Sequence, residues 1–138
     1  MIFTFLNFWR RVYLILGHVQ NCAARLIYNR RKYDHVTDIF RDLHWLPINS
    51  RIVYKILLMV HKCLYHTSPD DLNKLITFES TRTFNLTVQR CNSVFGDRAF
   101  SVYSAKLWNP LPLNLKFEVS LINFKKLLKT YLFELAFY

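Results

Sequence analysis

Glycine is almost missing from this chain, with two in 138 residues. That scarcity argues against an all-β meander of tight hairpins, whose turns need residues at positive φ, and against Gly-rich phosphate or dinucleotide loops. Cysteine is scarce too. Cys22, Cys63 and Cys91 are an odd number without framework spacing, which favours a reduced intracellular protein, nuclear or cytoplasmic, over a secreted one. No apolar run is long. Residues 1-MIFTFLNFW-9 end at Arg10-Arg11, and 12-VYLIL-16 is only five residues, well short of the roughly 20 that span a bilayer. A signal peptide would carry its charge ahead of the apolar core, whereas these arginines interrupt it. An amphipathic or core-packing helix is the expectation there, and a membrane is not the expected partner.

Acids are missing from the first stretch altogether. Residues 1–33 hold Arg10, Arg11, Arg25, Arg30, Arg31 and Lys32 with no Asp or Glu, whereas 34–50 and 67–80 are each net acidic. Over the whole chain 19 Lys and Arg oppose 9 Asp and Glu, a formal +10, so a polyanion is the first partner to consider. The plainer reading of the same charge is a solvated basic face that keeps the domain soluble. What the chain has in quantity is apolar surface. With 52% hydrophobic residues, including twelve Phe, eight Tyr and three Trp, it is too apolar for disorder, and its length suits a single unit with a modest core.

The apolar spacing predicts helices. Val19, Cys22, Ala23, Leu26 and Ile27 recur as one stripe of a helix over 12–29, with Arg30, Arg31 and Lys32 at its carbonyl end. Asp34 or Thr37 can cap a short helix through Leu43, and Asn49 or Ser50 a central helix over 50–66, whose stripe is Ile52, Val53, Ile56, Leu57, Val60, Cys63 and Leu64. Between them, Trp45 is expected to bury against the central helix while Pro47 turns Leu46 away from helical geometry. Ser68-Pro69-Asp70-Asp71 starts a short helix to Ile76. Residues 77–99 lose the helical period and read as irregular, with short strands at 82–88 and 91–95 and a turn at Gly96-Asp97. The segment 98–112 reads as a strand or a short helix. Ser120 then caps a last helix, 120–136, with Leu121, Phe124, Leu128, Tyr131 and Leu135 on one stripe and Lys125, Lys126 and Lys129 away from it.

Chemistry-bearing sets are few. Cys63 and His66 share a helix face near His61, but no second pair with ligand spacing exists, so a core Cys beside a solvent-edge His outweighs a metal site. Asp70-Asp71 resembles the paired carboxylates of nucleotidyl transfer, yet acids in the first turn of a helix are explained by its dipole. No nucleophile elbow singles out a Ser, His and Asp set. Basic residues beside aromatics remain: Arg30, Arg31 and Lys32 with Tyr33, then Lys125, Lys126 and Lys129 with Tyr131. Cations of this kind neutralise phosphates, and ring faces can stack on bases.

Four ordered blocks carry a resemblance: 20-QNCAARLI-27, 33-YDHVTDIFRDLHWLPINSRIVYKILLMVHKCLY-65, 96-GDRAFSVYSAKLWNPLP-112 and 124-FKKLLKTYLFELAF-137. From about Val19 to Phe137, including His-Trp-Leu-Pro and Leu-Trp-Asn-x-Leu-Pro, the chain resembles the C-terminal end of the reverse transcriptase polyprotein of non-LTR (LINE-type, jockey-like) retrotransposons. It departs from the family where Ser104-Ala105-Lys106 and Thr37-Asp38 lack the usual prolines, which loosens two turn constraints. The resemblance implies a thumb-like helical region over 19–76 and a post-thumb region over 77–137, with Met1 beginning inside a larger domain. It also implies that the Asp-Asp box of the palm lies upstream, so the family's catalytic residues have no counterpart here.

The expectation is therefore a mainly α, small helical bundle with an irregular or short β-containing segment around 77–112. Its role would be to bind RNA or an RNA–DNA duplex, and the missing palm and fingers are a further partner; no catalytic residue, metal, cofactor or small-molecule substrate is expected. Arg25, Arg30, Arg31 and Lys32 lead the phosphate-contact candidates, followed by Lys125, Lys126 and Lys129, with Trp45, Pro47 and Trp108 as structural anchors. Two alternatives stay open: a helical interaction or membrane-surface module using residues 1–16, and a relic reading frame without function.

Overall fold

The computed structural model describes residues 2–80, 82–90, 96 and 99–138. Among them the chain is mainly α, as expected, with seven helices: α1 (Ile2–Ile27), α2 (Thr37–Asp42), α3 (Ile48–Leu64), α4 (Asp70–Asn73), α5 (Phe100–Trp108), α6 (Leu113–Lys116) and α7 (Leu121–Phe137). Two short strands, β1 (Phe78–Ser80) and β2 (Asn85–Leu86), pair antiparallel with Phe78 opposite Leu86 and an irregularity in the register. The ambiguous 98–112 segment is thus helical over α5, and only β2 falls inside the expected 82–88 strand. The expected strand at 91–95 and Asp97 of the expected turn lie outside the described residues. No helix among the described residues is long and apolar enough to cross a membrane.

Helix ends show how a chain nearly without glycine stops its helices. α1, α2 and α3 are each followed by a left-handed residue, Asn29 (φ 47°), His44 (φ 52°) and His66 (φ 52°). After α1, the Arg30 amide donates to Arg25 O and the Asn29 amide to Leu26 O, the paired 6→1 and 5→2 bonds of a Schellman motif. The same pair recurs as Trp45 to Phe40 O with His44 to Arg41 O, and as Thr67 to Lys62 O with His66 to Cys63 O. An L-residue at such a position is strained by its Cβ, and the bonds formed offset that strain.

Helix starts differ from expectation. α2 begins after Val36 with no side-chain cap, because the Asp34 carboxylate accepts the Arg31 amide instead, and Thr37 is already helical. α3 begins directly after Pro47, whose carbonyl accepts the Arg51 amide, so Asn49 and Ser50 sit inside the first turn. Proline fits there because the first amides of a helix have no intrahelical partner to lose. Pro69 precedes α4, and the Ser68 hydroxyl donates to Asn73 Oδ1 rather than receiving backbone amides. Ser120 does stand at the N-cap of α7: its carbonyl accepts the Phe124 amide at 2.8 Å, while its own amide donates to Glu118 Oε1.

The chain divides into two compact units, residues 1–52 with 132–138, and residues 53–131. In the first, Ala24, Ile39 and Phe40 form a core against which Val36, Leu43, Trp45 and Phe137 pack. α1 meets its unit through small and polar residues: Gly17 lies against Ile48, Ala24 is fully buried, and Gln20 Nε2 donates to Leu46 O at 2.8 Å. The stripe read from the sequence as its packing face is the outer one, since Val19, Cys22, Leu26 and Ile27 are exposed. Small residues let the helix approach closely, and apolar spacing alone does not say which side does so.

In the second unit Leu57, Val60 and Cys63 of α3, Val102, Ala105 and Trp108 of α5, and Phe124 and Leu128 of α7 are buried. His61 is buried as well. Its Nε2 lies 2.8 Å from Glu118 O and must carry the proton, while Nδ1 has no partner among the described residues. Phe124 stacks on the ring at 4.1 Å and Tyr65 tilts against it at 4.6 Å. Burial pushes the imidazole pKa below its ordinary value; the Glu118 carbonyl and charge oppose that shift. On α7, Leu135 is exposed rather than part of the buried stripe, while Leu132, one of the two residues that widen that stripe in the sequence, is buried.

Candidate nucleic-acid interface

The acid-free opening of the sequence ends in a structured basic turn. Helix α1 stops at Ile27, and the Schellman bonds fold the chain back so that residues following the helix return toward its last turns. Arg25 Nε donates to Asp34 O at 3.1 Å, and the Arg31 amide donates to Asp34 Oδ2 at 3.0 Å. These two bonds close the 25–34 loop around one acidic residue. Lys32 Nζ lies 5.7 Å from the centroid of the exposed Tyr33 ring.

Within this turn is an open hollow of about 300 Å³ lined by Cys22, Arg25, Leu26, Asn29, Arg30 and Lys32. Three of the four leading phosphate-contact candidates are therefore brought together. The fourth, Arg31, is exposed on the same loop but is not part of the lining. No carboxylate lines the hollow, and none of Arg25, Arg30, Arg31 and Lys32 has an ion pair among the described residues. The negative end of the α1 dipole lies here too, so the cations stabilise the helix as well as facing solvent. Cys22 and Asn29 were not singled out for this site by sequence. The signal for Asn29 was its place just past a helix end, where asparagine tolerates left-handed geometry.

Lys125, Lys126 and Lys129 project to solvent from α7 in the second unit, on the side away from buried Phe124 and Leu128. They form no ion pair among the described residues.

The anchors hold backbone. Trp45, expected to bury against α3, is half-buried and packs on the Ala24, Ile39 and Phe40 core, 6.4 Å from the Phe40 ring. From α3 the Arg51 guanidinium reaches it, 5.7 Å from the ring. The reason is the Schellman turn: Trp45 is its last residue, and an apolar contact back to Phe40 accompanies the motif. Leu46 O accepts both Gln20 Nε2 and Arg51 Nε, so the joint ahead of Pro47 is tied to α1 and α3 at one atom. Trp108 is fully buried and donates Nε1 to Phe84 O at 2.8 Å. Next to it, Asn109 bonds the backbone of Leu86, and its own carbonyl accepts Lys116 Nζ at 2.7 Å. Lys116 is buried, also donates to Asn85 Oδ1 at 2.8 Å, and has its pKa lowered by desolvation. It carried no signal in the sequence.

The residues considered for metal or transfer chemistry stay apart from any such arrangement. Cys63 is buried and His66 exposed, while Asp71 pairs with Lys74 at 3.6 Å at the start of exposed α4. Among the described residues no group of three or more His, Cys, Asp or Glu is placed to hold a metal ion. No family model, curated protein or solved structure matches this chain.

Proposed function

We propose that this chain binds RNA or an RNA–DNA duplex through the basic turn that ends α1, and that it does no chemistry of its own. The observation that carries this reading is the hollow that gathers Arg25, Arg30 and Lys32 with no carboxylate in its lining. Asn29 and Leu26, also in its lining, are a polar and an apolar residue beside the phosphate-directed cations. The resemblance of the sequence to the C-terminal end of a non-LTR reverse transcriptase supports the same role, with a palm and fingers supplied from elsewhere.

A salt titration of binding to a fluorescent RNA–DNA hybrid tests the proposal. Each phosphate neutralised on a duplex contributes roughly 0.9 to the slope of log affinity against log salt, so three or four contacts give a slope of about −3. Arg30→Ala combined with Lys32→Ala should flatten it by one to two, both side chains being exposed. Affinity that hardly responds to salt would reject the reading. The origin is tested separately by the nucleotide sequence ahead of the Met1 codon, where an Asp-Asp box, in frame or frameshifted, is expected.

A further inference from the structure

Three cations line one small hollow at the end of α1 instead of being spaced along a groove. Arg25, Arg30 and Lys32 border about 300 Å³, at the lower end of the range for small-molecule sites and sized for the end of one strand. Arg25 is held in place, since its Nε donates to Asp34 O at 3.1 Å, which leaves the outer nitrogens of the guanidinium fork for a ligand. A helix C-terminus ordinarily repels an anion through its free carbonyls. Here the Ala24, Arg25 and Leu26 carbonyls already accept the Tyr28, Arg30 and Asn29 amides, at 3.2, 2.9 and 3.3 Å, so that repulsion is reduced where the cations gather. Lys32 Nζ, 5.7 Å from the Tyr33 centroid, sets a ring that is 88% exposed beside one of the lining cations.

We propose that the hollow seats the terminal phosphate of a nucleic-acid strand, a phosphomonoester at its 5′ or 3′ end, in preference to an internal phosphodiester. The inference rests on the nucleic-acid reading of the same turn. A phosphomonoester carries about −1.5 to −2 at pH 7 on three unesterified oxygens, whereas each phosphate within a strand carries a single charge. A hollow that gathers three cations with no carboxylate in its lining is matched to the denser charge. Proteins that follow a strand track its backbone with a basic groove instead. Arg31, exposed on the same loop but outside the lining, is left for the neighbouring phosphate, and the exposed face of Tyr33 for the terminal base.

Fluorescence anisotropy of the full chain tests this with internally labelled RNA–DNA hybrids of about 12 base pairs, identical except for a 5′-phosphate, a 3′-phosphate or hydroxyls at every end. At one salt concentration a phosphorylated end should bind roughly tenfold tighter than the hydroxyl form, the worth of about one added charge-assisted contact. Arg30→Ala with Lys32→Ala should bring that ratio to about one, without loss of helical circular dichroism, since both side chains are exposed. Arg31→Ala removes a charge from the same loop but outside the hollow, so it should weaken all three hybrids alike and keep the ratio. Equal affinity for phosphorylated and hydroxyl ends, with salt-dependent binding intact, overturns the strand-end assignment and leaves the duplex reading standing; no binding to any hybrid rejects both. Inorganic phosphate that competes mole for mole with the phosphorylated hybrid also overturns the assignment, because the ligand is then a free anion. So does a ratio that Arg31→Ala lowers as far as the double variant.

Discussion

Asn109 satisfies both backbone groups of Leu86 at once: its Oδ1 accepts the Leu86 amide at 2.8 Å and its Nδ2 donates to the Leu86 carbonyl at 3.0 Å. The side chain acts as a one-residue strand beside β2. Replacing it with alanine leaves a buried amide and carbonyl without partners, at a cost of about 2–3 kcal/mol. We expect Asn109→Ala to lower the urea midpoint accordingly, with an unchanged m-value. A loss below about 0.5 kcal/mol would contradict this account.

His61 makes stability depend on pH. Its native pKa lies below the unfolded value of 6.5, so below that pH the unfolded chain binds a proton that the native state refuses. The unfolded state then holds more protons, and stability falls as pH falls through 6.5 toward the native pKa. The slope approaches about 1.4 kcal/mol per pH unit for one group. His61→Phe, which keeps the stacking on Phe124, should flatten unfolding free energy between pH 6.5 and the acid limit.

Left-handed His66 is strained by its Cβ and its side chain is exposed. His66→Gly should raise stability by roughly 0.5–1 kcal/mol, the strain relieved less the added entropy of an unfolded glycine. His44→Gly should gain less, because the His44 ring stacks on Phe133 at 5.5 Å and that contact is lost. Thermal melts of the two variants should rank in that order.

Trp45→Ala removes the ring that covers Phe40 and carries the Arg51 guanidinium. A half-buried tryptophan of this kind should cost about 2–3 kcal/mol. Trp45→Phe keeps the apolar contact and should recover more than half of that loss, measured by urea denaturation.

The amphipathic period made α3 and α7 legible, because Leu57, Val60, Cys63, Phe124 and Leu128 face inward wherever the helices pack. The same logic put the wrong face of α1 inward. Its docking side is marked by Gly17 and Ala24, which carry little hydrophobic signal, while the stronger row points out. Caps were legible by residue type but not by position, since Pro47 and Pro69 took the places that Asn49 and Ser68 could have filled. At the basic turn, the charge run grouped Arg30, Arg31 and Lys32 in advance. That Cys22 and Asn29 line one hollow with Arg30 and Lys32, and Arg31 does not, follows from where α1 stops and from the left-handed geometry of Asn29. Lys116 left no trace in the pattern because its acceptors, Asn85 from 31 residues away and a backbone carbonyl at Asn109, carry no charge that a sequence pattern would pair with it.

The bonds from Trp108 to Phe84 and from Asn109 to Leu86 join segments more than twenty residues apart without a long ladder. The 84–86 segment is thus held by side chains from the end of α5 as well as by its pairing with β1. The Leu86 amide hydrogen is held by the side chain of Asn109 at the end of α5 and exchanges with solvent when that side chain lets go. One backbone amide thus reports how often the end of α5 releases the 84–86 segment while the rest of the second unit stays folded.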